Sequence, residues 1–289
     1  MKDGKSSLAR PALYVVGTPI GNLEDITLRA LRVLKDADVI ACEDTRQTQK
    51  LLAHFAIAGH TISYHEHNEI ARAAELVEQM QQGASVALVT DAGMPGVSDP
   101  GYRLISRAIE NGLPVVPVPG PSAFLAGLVA SGFPTDSFCF RGFLPAKHGE
   151  RRTVLQEVRT SPKTVVFYEA PHRIIDALQD LVEILGRARQ IVVARELTKM
   201  HEEFLRGSAA EVLETLKRRD TVKGEITLLI SKADESPLSS QDRQGMTVRD
   251  RVQRIMSEER IDEKAALKKV AKERGISKSE AYRQMQRRE

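Results

Sequence analysis

The stretch SVALVTDAGMPGVSDPG, residues 85–101, holds the reading on which the fold turns. Its first half, SVALVT from Ser85, is a short apolar, β-branched run. Its second half breaks into a loop punctuated by Gly93, Pro95, Gly96, Pro100 and Gly101. A buried strand ending in such a loop predicts an open parallel sheet, whose ligands bind beyond the carboxyl ends of the strands. Glycine lets backbone approach a ligand, and proline stiffens the path.

The same pattern repeats outward from this stretch. Strands are predicted at LYVVG (from Leu13), DVIAC (from Asp38), HTISY (from His60) and PVVPV (from Pro114). Helical periodicity lies between them, in TLRALRVLKDA from Thr27 and in EIARAAELVEQMQQG after Asn68, which reads as an N-cap. Strand–helix alternation of this kind predicts a largely parallel sheet with helices on both faces. Two further loops follow strands, GTPIGNLEDIT (residues 17–27) and PGPSA (residues 119–123). One glycine-rich loop is a tight turn; three at equivalent ends of one sheet point to a shared ligand site.

A second set of strands follows: SFCFRGF, TVVFYE from Thr164, RQIVVARE from Arg189 and GEITLLI from Gly224, with the helical stretches RIIDALQDLVEILG and SAAEVLETLKRR among them. The chain therefore reads as α/β, with an N-terminal α/β domain over residues 11–131 and a second over 132–230. Residues 231–245, polar and carrying a proline, read as a linker. Residues 246–289 read as three short helices, with apolar positions at Val248, Val252 and Ile255, at Leu267, Val270 and Ala271, and at Ala281, Tyr282 and Met285. Gly275 suits a helix end, and Ser277 with Glu280 forms a capping-box pattern. The module resembles a helix-turn-helix, and a small dimerisation bundle has the same pattern.

The formal net charge is +3, but residues 246–289 alone hold 13 Lys/Arg against 8 Asp/Glu. The basic surplus thus sits in the C-terminal module, where a polyanionic partner would meet it. Aromatic content is 4% with no Trp, so stacking of bases on an aromatic platform is not an obvious mode of binding. The two cysteines, Cys42 and Cys139, suggest neither a disulfide framework nor a zinc site. No apolar run has the length of a membrane span or the form of a signal peptide, so a cytoplasmic protein is expected. The spacing Gly17–Gly21 does not match a dinucleotide G-x-G-x-x-G, and neither H-E-x-x-H nor G-x-S-x-G occurs.

Six runs in order, VGTPIGNLEDIT, ACEDTR (residues 41–46), LVTDAGMPGVSDPG, PVPGPSA, FYEAPHR (residues 167–173) and RELTK (residues 195–199), resemble the small-subunit ribosomal RNA cytidine 2′-O-methyltransferases of the tetrapyrrole-methylase superfamily. The resemblance runs over about the whole chain. It implies a cleft between the two α/β domains that holds S-adenosylmethionine, a homodimer, and ribosomal RNA or the small ribosomal subunit as partner. Carried over by position, it implies that Pro19, Asp91, Gly93, Met94, Ser122 and Ala123 line the cofactor side of the first domain, with Tyr168 and Gly224 approaching from the second. Relatives acting on tetrapyrroles show Gly-Asp-Pro after the fourth strand; here Thr90-Asp91-Ala92 stands in its place.

A sulfonium already activates its methyl group, so the protein has to align the acceptor oxygen and exclude water. A ribose hydroxyl is a weak nucleophile that a general base or nearby cation would help. Candidates for that chemistry at the strand ends are Glu43, Asp44, Glu169 and Lys199, with Glu196 beside them. Arg46, His172 and Arg173 are the candidates for contacts to substrate phosphate or ribose. Each has a structural alternative: Asp44 as a helix cap, Glu169 with Arg173 as an ion pair, His172 as a surface histidine. No metal site is expected. Methylation of a tetrapyrrole carbon is the alternative activity, and a non-enzymatic RNA-binding assembly factor is a third reading. The basic C-terminal module favours RNA.

Overall fold

The computed structural model describes residues 8–9, 11–233, 247–259, 261–274 and 276–286. The expected linker falls mostly outside them, as does Gly275. By its contacts the chain forms two compact units, residues 1–233 and 234–289.

The first unit opens with five strands, β1 (Ala12–Val16), β2 (Val39–Cys42), β3 (Thr61–Ser63), β4 (Ser85–Leu88) and β5 (Val115–Val118). They pair in the order β3-β2-β4-β1-β5, every pair parallel. Crossover helices α1 (Leu28–Asp36), α2 (Thr45–His54), α3 (Glu69–Gln81) and α4 (Tyr102–Glu110) cover both faces. Side chains alternate along a strand, so each strand feeds two cores. Leu13, Val15, Val86 and Leu88 pack with Leu76, Met80 and Leu104 of α3 and α4. Tyr14, Val16, Ile40 and Ala87 pack with Val33, Leu34 and Leu52 of α1 and α2. Burial on both faces explains why these strands read as continuous apolar runs. Asn68 does sit at the N-cap of α3, but its side chain makes no capping bond there. It turns back instead, accepting from the His65 amide and donating to the Ser63 carbonyl.

Helix α5 (Ala123–Ser131) follows β5 and leads into the second sheet: β6 (Phe138–Phe143), β7 (Thr164–Glu169), β8 (Gln190–Arg195), β9 (Glu203–Ser208) and β10 (Ile226–Ile230), in the order β6-β7-β10-β8-β9. Only β6 and β7 run parallel; the other pairs are antiparallel. Strand β9 is absent from the sequence reading. EFLRGS neither alternates cleanly nor runs apolar, and it pairs only with β8 at the sheet edge, so periodicity gives it no signature. Helices α6 (His148–Val158), α7 (Ile174–Leu185) and α8 (Ala209–Lys217) cover one face of this sheet through Phe167, Ile191, Val193 and Leu228. The opposite face, with Val166, Val192, Ala194 and Leu229, is covered by Leu128 and Phe124 of α5 together with Ile20 from the loop after β1. The chain that leaves the first sheet is thus the lid of the second, and that packing joins the strand-end loops to β7 and β10. Gly127 permits it: a Cβ there would stand 3.1 Å from Thr227 Cγ2.

The second unit has α9 (Val248–Glu259), α10 (Glu263–Glu273) and α11 (Lys278–Gln286), close to the predicted ranges. Its core gathers Val248, Val252, Ile255, Leu267, Val270, Ala271, Ala281 and Met285. Tyr282, expected with them, is half exposed. Asp262 caps α10 by accepting from the Ala265 amide, and Ser277 accepts from the Glu280 amide. Among the described residues no helix is long and apolar enough to cross a membrane.

Candidate active site

The three glycine-rich loops do meet. The Thr18 amide donates to the Gly93 carbonyl at 2.9 Å and the Gly93 amide returns the bond at 3.1 Å, tying the loop after β1 to that after β4. The Thr18 hydroxyl donates to the Thr90 carbonyl, and the Gly17 amide to the Val118 carbonyl at the end of β5. These loops and the facing ends of β7 and β10 enclose a cavity of about 280 Å³, a size suited to a small ligand.

Gly93, Met94, Ser122, Ala123, Tyr168 and Glu169 all line that cavity. The remaining expected cofactor residues stand beside it while their neighbours line it: Ile20 beside Pro19, Ala92 beside Asp91, Glu225 beside Gly224. Pro19 is buried in the loop. Asp91 is exposed and accepts from the Asp44 amide at 3.2 Å; partial desolvation and the nearby Asp44 raise its pKa. Gly224 has φ +88°, and a Cβ on it would collide with the Glu196 side chain.

Glu169 is 2% exposed. Its Oε1 accepts from the Ala170 amide and pairs with Arg173, while Oε2 is buried with no hydrogen-bond partner among the described residues. The expected ion pair is present, on a residue that lines the cavity. Lys199 stands outside the lining. Its Nζ donates to Glu196 at 2.8 Å and to Glu225 at 3.0 Å. Glu43 accepts from the Thr90 hydroxyl at 3.1 Å. Asp44 caps α2 through the Arg46 amide and clasps the Arg46 guanidinium, which lowers the Asp44 pKa to about 2. Asp44 and Arg46 are therefore satisfied by each other at the start of α2. His172 is exposed next to Pro171, which lines the cavity.

Sequence reading does not single out Asp99, which lines the cavity. Burial, followed by the neighbouring Glu43, pushes its pKa up to about 6. Its signal was the last carboxylate of the loop after β4, where Asp before Pro reads as turn chemistry. Aromatic residues are also concentrated here. Phe124 stacks on Phe140 at 4.4 Å between ring centroids, and Phe140 and Phe143 meet Tyr168 edge-on at 4.9 and 5.5 Å. Phe143, 54% exposed, borders the cavity. No cluster of His, Cys, Asp or Glu suited to a metal ion is found among the described residues.

The family model for Tetrapyrrole (Corrin/Porphyrin) Methylases matches residues 12–213. The chain is 46% identical over 271 residues, 93% of each chain, to the Ribosomal RNA small subunit methyltransferase I of Halalkalibacterium halodurans. It is 47% identical to the protein of that name from Escherichia coli O157:H7, over 78% of this chain and 80% of the other. Among solved structures, uroporphyrin-III C-methyl transferase from Thermus thermophilus complexed with S-adenyl homocysteine superposes with TM-score 0.55 at 20% identity, over 75% of this chain and 96% of the other. At that identity the likeness is one of fold.

Proposed function

Because the chain belongs to the tetrapyrrole (corrin/porphyrin) methylase family, we propose that it moves the methyl group of S-adenosylmethionine to the ribose 2′-hydroxyl of a cytidine in small-subunit ribosomal RNA. The observation that carries this reading is the likeness to ribosomal RNA methyltransferases over 93% of both chains, a share too large to stop short of the C-terminal helices.

The cavity fits the cofactor. Its apolar walls at Ile20, Met94 and Ala123 suit an adenine ring, and the orphan Glu169 Oε2 suits a donor such as an ammonium or hydroxyl. When bound, the cofactor supplies an electrophilic sulfonium methyl. Gly93, Ser122 and the ends of β7 and β10 hold the ligand in place, and the lid formed by α5 keeps water from the buried side. Tyr168 and Phe143 give a nucleobase a face to stack on. Pro19, Asp91 and Gly224 support the loops that make these contacts; Glu43 and Lys199 act one shell out, through Thr90 and Glu225. On this reading Arg46, His172 and Arg173 meet the RNA outside the cavity. The protein acts in the cytoplasm as a homodimer on this reading, and exposed Leu125 and Val129 on α5 offer a second copy apolar surface.

Calorimetry with S-adenosylmethionine in the presence of chelator, followed by incubation with small ribosomal subunits and mass-spectrometric mapping of ribose methylation, tests the proposal. A single 2′-O-methylcytidine is expected. Methylation of a tetrapyrrole carbon with none on RNA overturns it, and so does cofactor binding that requires a divalent ion for its metal-free form.

A further inference from the structure

We propose that Lys264, Lys268 and Lys272, along one face of α10, are the surface by which the second unit grips the phosphate backbone of RNA, a role resting on the ribosomal RNA reading above. Four residues make slightly more than one helical turn, so the three side chains stand one above another, about 6 Å apart along the axis. All three residues are exposed. The core of the unit takes the other side of this helix, through Ala266, Leu267, Val270 and Ala271. Folding of the unit therefore makes no use of the lysine face.

A merely solvated helix face pairs its charges. Elsewhere in this chain Arg72 pairs with Glu75 on α3, Lys147 with Glu150 at the start of α6, and Lys217 with Glu214 on α8. Opposite charges at such spacing stabilise a helix, and like charges destabilise it by similar amounts. Lys264, Lys268 and Lys272 set three positive charges four residues apart, and none has an ion-pair or hydrogen-bond partner among the described residues. Their mutual repulsion opposes folding, and a polyanion is the partner that relieves it.

In a helix-turn-helix the second helix of the pair enters the groove. Here that helix, α11, carries Glu280 among its bases, with Arg283 3.7 Å from its carboxylate and Gln284 donating to it. The uncompensated charge lies on α10 instead. A lysine ammonium is a compact charge on a flexible stem, and its contacts to phosphate position RNA without reading sequence. Choice of the methylated nucleotide stays with the first unit, and the stripe supplies general affinity. Each phosphate neutralised contributes about 0.7–0.9 to the slope of log affinity against log salt, so three contacts account for about 2–3 of it.

The test uses the full chain in four forms: wild type, Lys264→Gln/Lys268→Gln/Lys272→Gln, the same triple with Arg, and a charge-matched control. The control is Lys35→Gln/Lys163→Gln/Lys217→Gln, on exposed lysines of the first unit. Binding to small ribosomal subunits, to their RNA stripped of protein and to an unrelated RNA duplex is followed through a salt series, with melting midpoint and single-turnover methyl transfer alongside. The stripe Gln variant should lose about 2–3 from the salt slope on all three and bind about tenfold or more weakly at low salt. The subunit concentration for half-maximal transfer should rise in step while the rate at saturation stays within about twofold. Its melting midpoint should not fall, since like charges have been removed. The Arg variant should keep the wild-type slope, and the control should lose less than about 1. An unchanged slope in the stripe Gln variant, an equal loss in the control, or weaker binding together with a lower melting midpoint overturns the assignment. Weaker binding to subunits but not to either RNA overturns it in favour of a protein partner. A wild-type enzyme that binds cofactor but leaves RNA unmethylated sinks the parent reading, while the salt slopes still judge the stripe by themselves.

Discussion

Gly17, after β1, and Gly120, after β5, meet backbone to backbone: a Cβ on either would lie 2.7 Å from the Cα of the other. On Gly17 it would also stand 2.7 Å from Met94 Sδ. Neither residue has the left-handed φ that favours glycine. What glycine supplies here is space, and the space lets three loops converge on one cavity.

Gly120→Ala should therefore act by overpacking, costing about 1–3 kcal/mol of stability and weakening cofactor affinity at least about tenfold by pushing the loops apart. Gly149→Ala is the contrast. A Cβ on Gly149, in the first turn of α6, meets nothing within 4 Å, so the variant should gain about 0.4–1 kcal/mol through the unfolded chain. Denaturant melts and calorimetry on both variants check this; equal behaviour would show that the loop contact is slack.

Arg151 and Asp180 form an ion pair under α6 and α7, each side chain 6% exposed, with Nε 2.7 Å from Oδ2. Removing one partner leaves a buried charge without its counter-charge, so Asp180→Ala should cost about 3–5 kcal/mol. The pair stands away from the cavity, so cofactor affinity of the folded fraction should be unchanged. A urea titration with the affinity measured below the transition separates the two effects.

Glu203 on β9 is gripped by Arg219 and, secondarily, Arg195, and its pKa falls from 4.5 to about 2. A depressed folded pKa contributes stability above the unfolded value, and that contribution fades as pH falls from 4.5 toward 2. Glu203→Gln should thus melt lower than wild type at neutral pH, by about 1 kcal/mol for a partly exposed network. The gap should narrow in acid. A gap independent of pH would mean that packing rather than charge is lost.

The second unit holds the basic surplus and its own apolar core. Released counterions make such contacts to RNA steeply salt-dependent. A chain ending near Ser236 should retain cofactor affinity but bind RNA more weakly and with a shallower salt slope. Salt-series binding of both lengths measures this. Unchanged RNA affinity would remove the tail from RNA binding, and dissociation to monomers would assign it to the dimer interface.

Much of the architecture was legible in the sequence because its signals are local. Nine of the ten strands announce themselves as apolar runs, and the three loops by glycine and proline at their ends. Helices α9, α10 and α11 follow from apolar residues at helical spacing. Edge strand β9 was not legible, since its identity as a strand comes from hydrogen bonds to β8 rather than from its own side chains. Six cavity-lining residues, Glu169 among them, were expected from the ordered motifs; which of its oxygens would lack a partner was not.

What the sequence determined by itself is the repeat of strand, loop and helix, and the chemistry available at the loop ends, because period and composition are properties of short segments. What only the tertiary structure decided is which of those chemical groups meet. Asp99, Thr90 and Glu43 come together because β2 and β4 are neighbours in the sheet, and Tyr168 joins them because α5 crosses to cover the second sheet. Burial and the neighbouring carboxylates then raise the proton affinities of Asp99 and Tyr168, and those depend on distances between residues far apart in the chain that no local pattern encodes.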